Sequence, residues 1–215
     1  SEDAVESIVR RKRLVHVAAS MNALKCLEIL LDRVPSDMTS EDECRQFPVH
    51  RAVASGAVAC TILLTRALNA KRWAKLALFQ TDLNFATCLH LALLRDVCED
   101  LIELPDVLLT LILSFATTND VLEMPLKHTG LRPLHLACCR GRTGCVLQLL
   151  AAGADPSKGT NNLERMTPLM YACKEGHHYV AMLLLRSSVD VNAQREDGMT
   201  ASHLAMCNGH VELGR

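Results

Sequence analysis

The sequence predicts an all-α solenoid of stacked helix pairs, and three observations predict it. A short pattern, often opening on Thr or Pro and centred on Leu-His-x-Ala, recurs along the chain. In the clearest copies a Gly follows, then a second apolar stripe. Neither helix of such a pair is long enough to bury its apolar face alone, so the copies must stack on one another.

The clearest copy is Leu131 to Asp155. Pro133 suits the first helical position, where a missing N–H costs nothing. Leu134, Leu136 and Ala137 give a short apolar helix, and Gly141 ends it. Val146, Leu149 and Leu150 at i, i+3, i+4 predict the buried stripe of the second helix, which Gly153 stops. Other copies open at Phe47-Pro48-Val49-His50, Thr87-Cys88-Leu89-His90, Thr167-Pro168-Leu169-Met170 and Thr200-Ala201-Ser202-His203, with a degenerate one at Arg13-Leu14-Val15-His16. Measured at the His position, the steps are 34, 40, 45, 35 and 33 residues. The chain thus resembles the ankyrin-repeat family, whose signature is T-P-L-H-x-A at a period of about 33. The resemblance implies an ankyrin-repeat solenoid of about five full repeats plus a truncated sixth, with short hairpin-like loops between helix pairs. The repeats fall near 5–38, 39–80, 81–125, 126–160, 161–193 and 194–215, one array over 1–215.

In chain order, SEDAVESIVRRKR reads as a capping helix whose basic end, Arg10 to Arg13, suits the helix C-terminal dipole. The same RRKR run fits a nuclear-import signal. Cys26, Ile29 and Leu30 are expected on the buried stripe of the next helix, and Ile62, Leu63 and Leu64 on that of the second repeat. An extra helical stretch, Ala67 to Leu78 within the insert 66–80, accounts for the 40-residue step. It carries the only Trp, Trp73, between Arg72 and Lys75, either packed over the array edge or serving as a partner anchor. The third repeat is irregular: Arg95 to Glu103, in the insert 95–104, precedes a second helix beginning near Pro105. In repeat proteins such insertions often map to the binding face. In the later repeats Thr167 caps a helix, with Pro168 next to it; Thr87 and Thr200 can cap likewise, whereas Arg132 and Phe47 cannot. By resemblance, His50, His90, His135 and His203 bond to backbone between repeats.

Composition narrows the function. A net charge of −1 does not favour nucleic acid as an electrostatic partner. Ten scattered Cys without C-x-x-C or zinc spacing indicate a reducing compartment, the cytoplasm or nucleus. No signal peptide is visible, and the longest apolar run, Val107 to Phe115, is too short to span a bilayer. Starting at Ser1 and stopping halfway through a repeat, the sequence reads as part of a longer protein. Cys173, His177 and His178 form the best metal-like cluster, and Cys138, Cys139 and Cys145 the next, but both read as structural. No nucleophile–base–acid set, P-loop or dinucleotide fingerprint appears. No enzyme, metal or cofactor is expected.

What remains is a binding surface. By resemblance, the concave groove takes the hairpin tips and the exposed end of each first helix. That gives His128, Thr129, Leu131, Cys139 and Arg140 in the fourth repeat. The fifth gives Leu163, Glu164, Met166, Lys174 and Glu175, and the sixth Glu196, Asp197, Met199, Cys207 and Asn208. The expected function is a protein–protein interaction module, an adaptor or scaffold that binds a protein or peptide in this groove within a larger intracellular protein. The alternative is a regulatory or autoinhibitory segment of an enzyme, channel or transcription regulator, the last resembling the Rel-inhibitor branch of ankyrin proteins.

Overall fold

The computed structural model describes residues 13–70, 74–94, 104–114 and 119–214. Among them every regular element is helical. They fall into two compact units, residues 1–116 and 117–215. The first holds α1 (residues 13–20), α2 (Leu24–Arg33), α3 (Pro48–Ser55), α4 (Val58–Ala70), α5 (Ala74–Phe79), α6 (Cys88–Leu94) and α7 (Leu104–Leu113). The second holds α8 (Pro133–Cys139), α9 (Thr143–Ala151), α10 (Pro168–Lys174), α11 (His178–Leu185), α12 (Ala201–Cys207) and α13 (Val211–Gly214). Single 3-10 turns lie at Pro35–Thr39 and Asn119–Glu123.

One local design repeats in both units. Pro48, Pro133 and Pro168 open their helices at the first position, as the missing N–H allows. Thr167 and Thr200 cap α10 and α12 by accepting from Met170 N (3.3 Å) and His203 N (3.5 Å), while Phe47 and Arg132 give no side-chain cap. The motif Ala is fully or nearly buried, and its carbonyl closes the helix end. Ala52, Ala137, Ala172 and Ala205 accept from Ala57, Arg142, His177 and His210 at 2.8–3.0 Å. This is the long bond of a Schellman stop, and it needs a left-handed residue. Gly56, Gly141, Gly176 and Gly209 supply it, with φ between 66° and 83°.

The motif His serves two masters. Its Nδ1 accepts from the backbone N–H at its own helix start: Phe47 to His50 (3.3 Å), Thr87 to His90 (3.2 Å), Arg132 to His135 (3.4 Å) and Thr200 to His203 (3.1 Å). The Nε2–H then donates forward: His16 to Gln46 O (2.9 Å), His50 to Gln80 O (2.9 Å) and His135 to Met166 O (3.1 Å). In the fifth copy Met170 takes the position, and its Sδ meets Thr167 N at 3.4 Å. The imidazoles of His16, His50, His90 and His135 are buried while His203 is exposed, and burial lowers the pKa of His50 and brings that of His135 down to about 4.

Two expected stripes shift register. In α2 the buried residues are Leu27 and Leu31, not Cys26, Ile29 and Leu30. Cys26 and Ile29 are exposed and Leu30 is half-buried. In α4, Cys60, Thr61, Leu64, Thr65 and Leu68 are buried, while Ile62 and Leu63 are only half-buried. The two Thr are at home because Thr61 Oγ1 donates to Ala57 O (2.9 Å) and Thr65 Oγ1 to Thr61 O (2.8 Å). The extra helical stretch is present as the lengthened α4 and α5. The capping-helix residues 1–12, Trp73 and Arg95 to Glu103 lie outside the described residues.

Candidate functional site

The hairpin tips before each helix pair are built by backbone, so their outer side chains are placed rigidly. Each tip closes on itself: Asp42 N to Gln46 O, Asp82 N to Ala86 O, Leu126 N to Leu131 O, Thr160 N to Met166 O and Arg195 N to Met199 O, all at 2.8–3.1 Å. Asp42, Asp82 and Asp197 stiffen their tips by accepting backbone N–H groups with a carboxylate oxygen. One residue per tip takes a left-handed φ: Arg45, Phe85, Gly130, Arg165 and Gly198, each two residues before the helix cap. Neighbouring tips are also joined, by Leu83 N to Cys44 O (3.3 Å) in the first unit. Asn161 N to Gly130 O (3.1 Å) and Glu196 N to Glu164 O (3.4 Å) do this in the second.

In the second unit this ledge borders the ends of α8 and α10. Tyr171, nearly buried, sits among the expected groove residues. Burial, and then the charges of Glu164 and Glu175, push its hydroxyl up to about 12. Its ring meets His135 edge-on at 5.8 Å. Burial also raises the half-buried Cys139 thiol, with Glu175 adding to the rise and Arg140 and Lys174 opposing it. Glu164, Glu175, Arg140 and Lys174 therefore surround one floor. Beside it, Leu163, Glu164, Arg195, Glu196 and Asp197 line a cleft of about 390 Å³ between two tips. Leu163 is 83% exposed on the rim of this cleft. Arg195 pairs with Asp197, and that hydrogen bond lowers the Asp197 carboxyl to about 2.

The other expected residues separate. His128 and Thr129 are exposed on the tip before α8, with Leu131 half-buried beside them and donating its N–H to Thr129 Oγ1 (3.4 Å). Met199 is half-buried, and Asn208 is exposed but turned back to Leu204 O (2.8 Å). Met166 is a correction. It is 1% exposed, because its N–H donates to Thr160 Oγ1 (3.0 Å) and its carbonyl accepts from His135, so the side chain packs inward and offers nothing to a partner. Trp73 lies outside the described residues.

Sequence reasoning passed over Tyr171, though its place between the motif His position and Ala marks it as a floor residue. In the first unit it named only Trp73, and not a cleft of about 670 Å³ lined by Arg13, His16, Val17, Glu43, Cys44 and Arg51 among others. Its rim is held by Arg13–Glu43 (2.5 Å) and Arg51–Asp42 (2.7 Å).

The buried thiols of Cys88, Cys138 and Cys173 and the imidazole of His177 are structural in their contacts. Burial raises Cys88 and Cys138 far above the range of a reactive thiol and takes Cys173 to about 11. His177 Nε2 donates to Cys139 O at 2.9 Å. Among the described residues no three His, Cys, Asp or Glu side chains are gathered as for a metal ion. No described helix is long and apolar enough to cross a membrane.

Comparison with known proteins agrees with this architecture. The family described as "Ankyrin repeats (3 copies)" matches residues 76–194 and again 134–215. The murine B-cell lymphoma 3 protein homolog is 29% identical over 204 residues, covering 94% of this chain and 42% of its own. Murine ankyrin repeat and SOCS box protein 5 is 34% identical over 90 residues, 42% of this chain and 26% of its own. The E3 ubiquitin-protein ligase XBAT33 of Arabidopsis thaliana is 40% identical over 84 residues, 39% of this chain and 16% of its own. The chain thus spans less than half the length of each of these relatives.

Proposed function

The chain belongs to the ankyrin-repeat family, whose repeats serve protein–protein interaction, and from that premise we propose that it is an adaptor module that grips a protein or peptide on the tip-lined groove of its second unit. The observation that carries this is the cleft between two hydrogen-bonded tips, where Leu163, 83% exposed, lies with Glu164, Arg195, Glu196 and Asp197, Glu164 also acting on Tyr171. Around it Glu164, Glu175, Arg140 and Lys174 provide both signs of charge. An apolar and aromatic centre within a charged rim is the make-up of a binding patch. In this reading the module is not itself an enzyme: the buried thiol of Cys138 is kept protonated, and His16, His50, His135 and His177 each hold a backbone carbonyl. It works as part of a larger intracellular protein. A second reading, a regulatory segment of an enzyme or transcription regulator, draws on one observation. The segments alike in XBAT33 and in the lymphoma protein homolog are 16% and 42% of those chains.

The test is affinity capture from a lysate with the wild type and with Arg140→Glu/Lys174→Glu. Both residues are at least partly exposed, so the melting temperature is expected to stay unchanged. A partner held by the wild type and lost by the double variant is the expected result. Partners held equally by both would overturn the assignment of the groove.

A further inference from the structure

The opposite element of each helix pair carries a second, unlike surface. Between α9 and α11 runs a cleft of about 660 Å³ lined by Leu147, Leu150, Tyr179, Met182 and Leu183, with Arg186 at one end. Leu147 is 52%, Tyr179 79% and Met182 45% exposed, so three large apolar side chains stand in solvent along one seam. Scattered single hydrophobics need no explanation, but contiguous ones mark interaction sites. Both helices that form the seam are in place and pack on each other.

Charge identifies the occupant. The lining holds no carboxylate, and neither α9 nor α11 contains an acidic or lysine side chain. Its formal charge is Arg186, which makes no ion pair among the described residues. At 1.5 Å per residue α9 is about 13 Å long, room for two to three turns of a helix lying alongside. An amphipathic helix presents apolar residues at i, i+3, i+4 and i+7 to such a groove. Tyr and Met suit it, the one as a rigid anchor and the other as an adaptable filler. We propose that this groove docks an amphipathic helix of a partner protein that carries an Asp or Glu at one end, received by Arg186. A cationic helix is disfavoured there, because like charge would meet Arg186 in an apolar setting. This surface is separate from the tip-lined groove and does not depend on it.

A displayed library of 16-residue helical peptides, randomised on one face and selected against the 215-residue chain, tests this directly. Enriched peptides are expected to carry large apolar residues at i, i+3 or i+4 and i+7 with a terminal acid. An isolated peptide should bind at least tenfold more weakly to Arg186→Glu and not measurably to Tyr179→Asp. Glu164→Lys, in the tip cleft, should leave it unchanged. All three sites are exposed, and unchanged circular dichroism and melting would certify the fold. The proposal is overturned by enriched peptides without an acid or by binding that survives Tyr179→Asp. Concentration-dependent self-association of the wild type that Tyr179→Asp abolishes would also overturn it, assigning the groove to a second copy.

Discussion

The two units use one motif under different constraints. In the second, the forward bond of His135 ends on Met166, the residue before the next helix cap. In the first, His16 likewise ends on Gln46, just before the cap at Phe47, but His50 reaches Gln80, directly after α5 and seven residues before the cap at Thr87. The second unit covers its outer helices with Leu, Val and Ala. The first buries two threonines in α4, which stay satisfied only by back-bonding to their own helix. The motif therefore tolerates an enlarged second half as long as its first half keeps its bonds.

The largest effects should come where both units are equally committed. Leu134→Ala and Leu89→Ala each remove a buried side chain and should cost about 2–5 kcal/mol in chemical denaturation. A loss below about 0.5 kcal/mol at either site would break the claim of equivalent packing.

Next is pH. His135 titrates near 4 when folded, against an ordinary value of 6.5. Its neutral form donates through Nε2 and accepts at Nδ1, and protonation destroys the acceptor. A folded pKa below the unfolded one makes the unfolded chain the better proton binder. Stability is thus whole above about pH 6.5 and falls as pH drops toward 4, by up to about 3 kcal/mol from this site. Met fills the same position in the fifth copy, so His135→Met should flatten that part of the stability–pH curve. An unchanged slope between pH 6.5 and 4 would mean that other groups carry it.

The glycines sharpen the comparison further. Gly130 has φ +67°, and a Cβ there would come within 2.8 Å of Asn162 backbone. Gly198 has φ +80° with nothing within 4 Å. Both lose a left-handed glycine in an Ala variant, at about 1–2 kcal/mol, but only Gly130→Ala must also push the next tip away. Thermal melts should rank Gly130→Ala as clearly the worse. The smallest effect is a gain. Arg165 holds φ +49° at the place where Gly130 and Gly198 stand in other tips. Arg165→Gly should raise stability by about 0.5–1 kcal/mol, the strain relieved exceeding the added freedom of the unfolded chain. A loss would show that its side chain contributes more than its backbone costs.

Much of this architecture is legible in the sequence because it rests on residues with one backbone habit each. Pro133 and Pro168 start helices, Gly141 and Gly176 stop them, and Thr167 and Thr200 cap them. Outer helices are less legible. In LKCLEILL several apolar residues compete for the inner face, and packing against α4 selects Leu27 and Leu31 over Ile29 and Leu30. The proposed binding face is legible as a set of tips but not as a set of inward and outward side chains. Met166 and Leu163 sit three residues apart on one tip, yet the bonds of Met166 to Thr160 and His135 fold it inward. No local pattern announces a bond to a residue 31 positions away. Tyr171 is only half legible: its place in the motif and Glu175 one helical turn on are local, but only the fold of the tip brings Glu164 to it.

The spacing of the backbone features has a practical corollary. The left-handed tip residue, the cap, the motif Ala and the N–H that closes on it stand at 45, 47, 52 and 57, then 130, 132, 137 and 142, then 165, 167, 172 and 177, then 198, 200, 205 and 210. Those offsets are the same in all four of these copies, although the steps between successive motifs along the chain range from 33 to 45 residues. In these four copies the cassette is fixed and length varies in the connections around it, whereas the third copy takes its insert 95–104 between its own two helices, α6 and α7. A reporter, an epitope or a foreign loop spliced after an outer helix, at Ser157 for instance, would be carried as cargo. The same splice between Thr167 and His177 would dismantle the cassette.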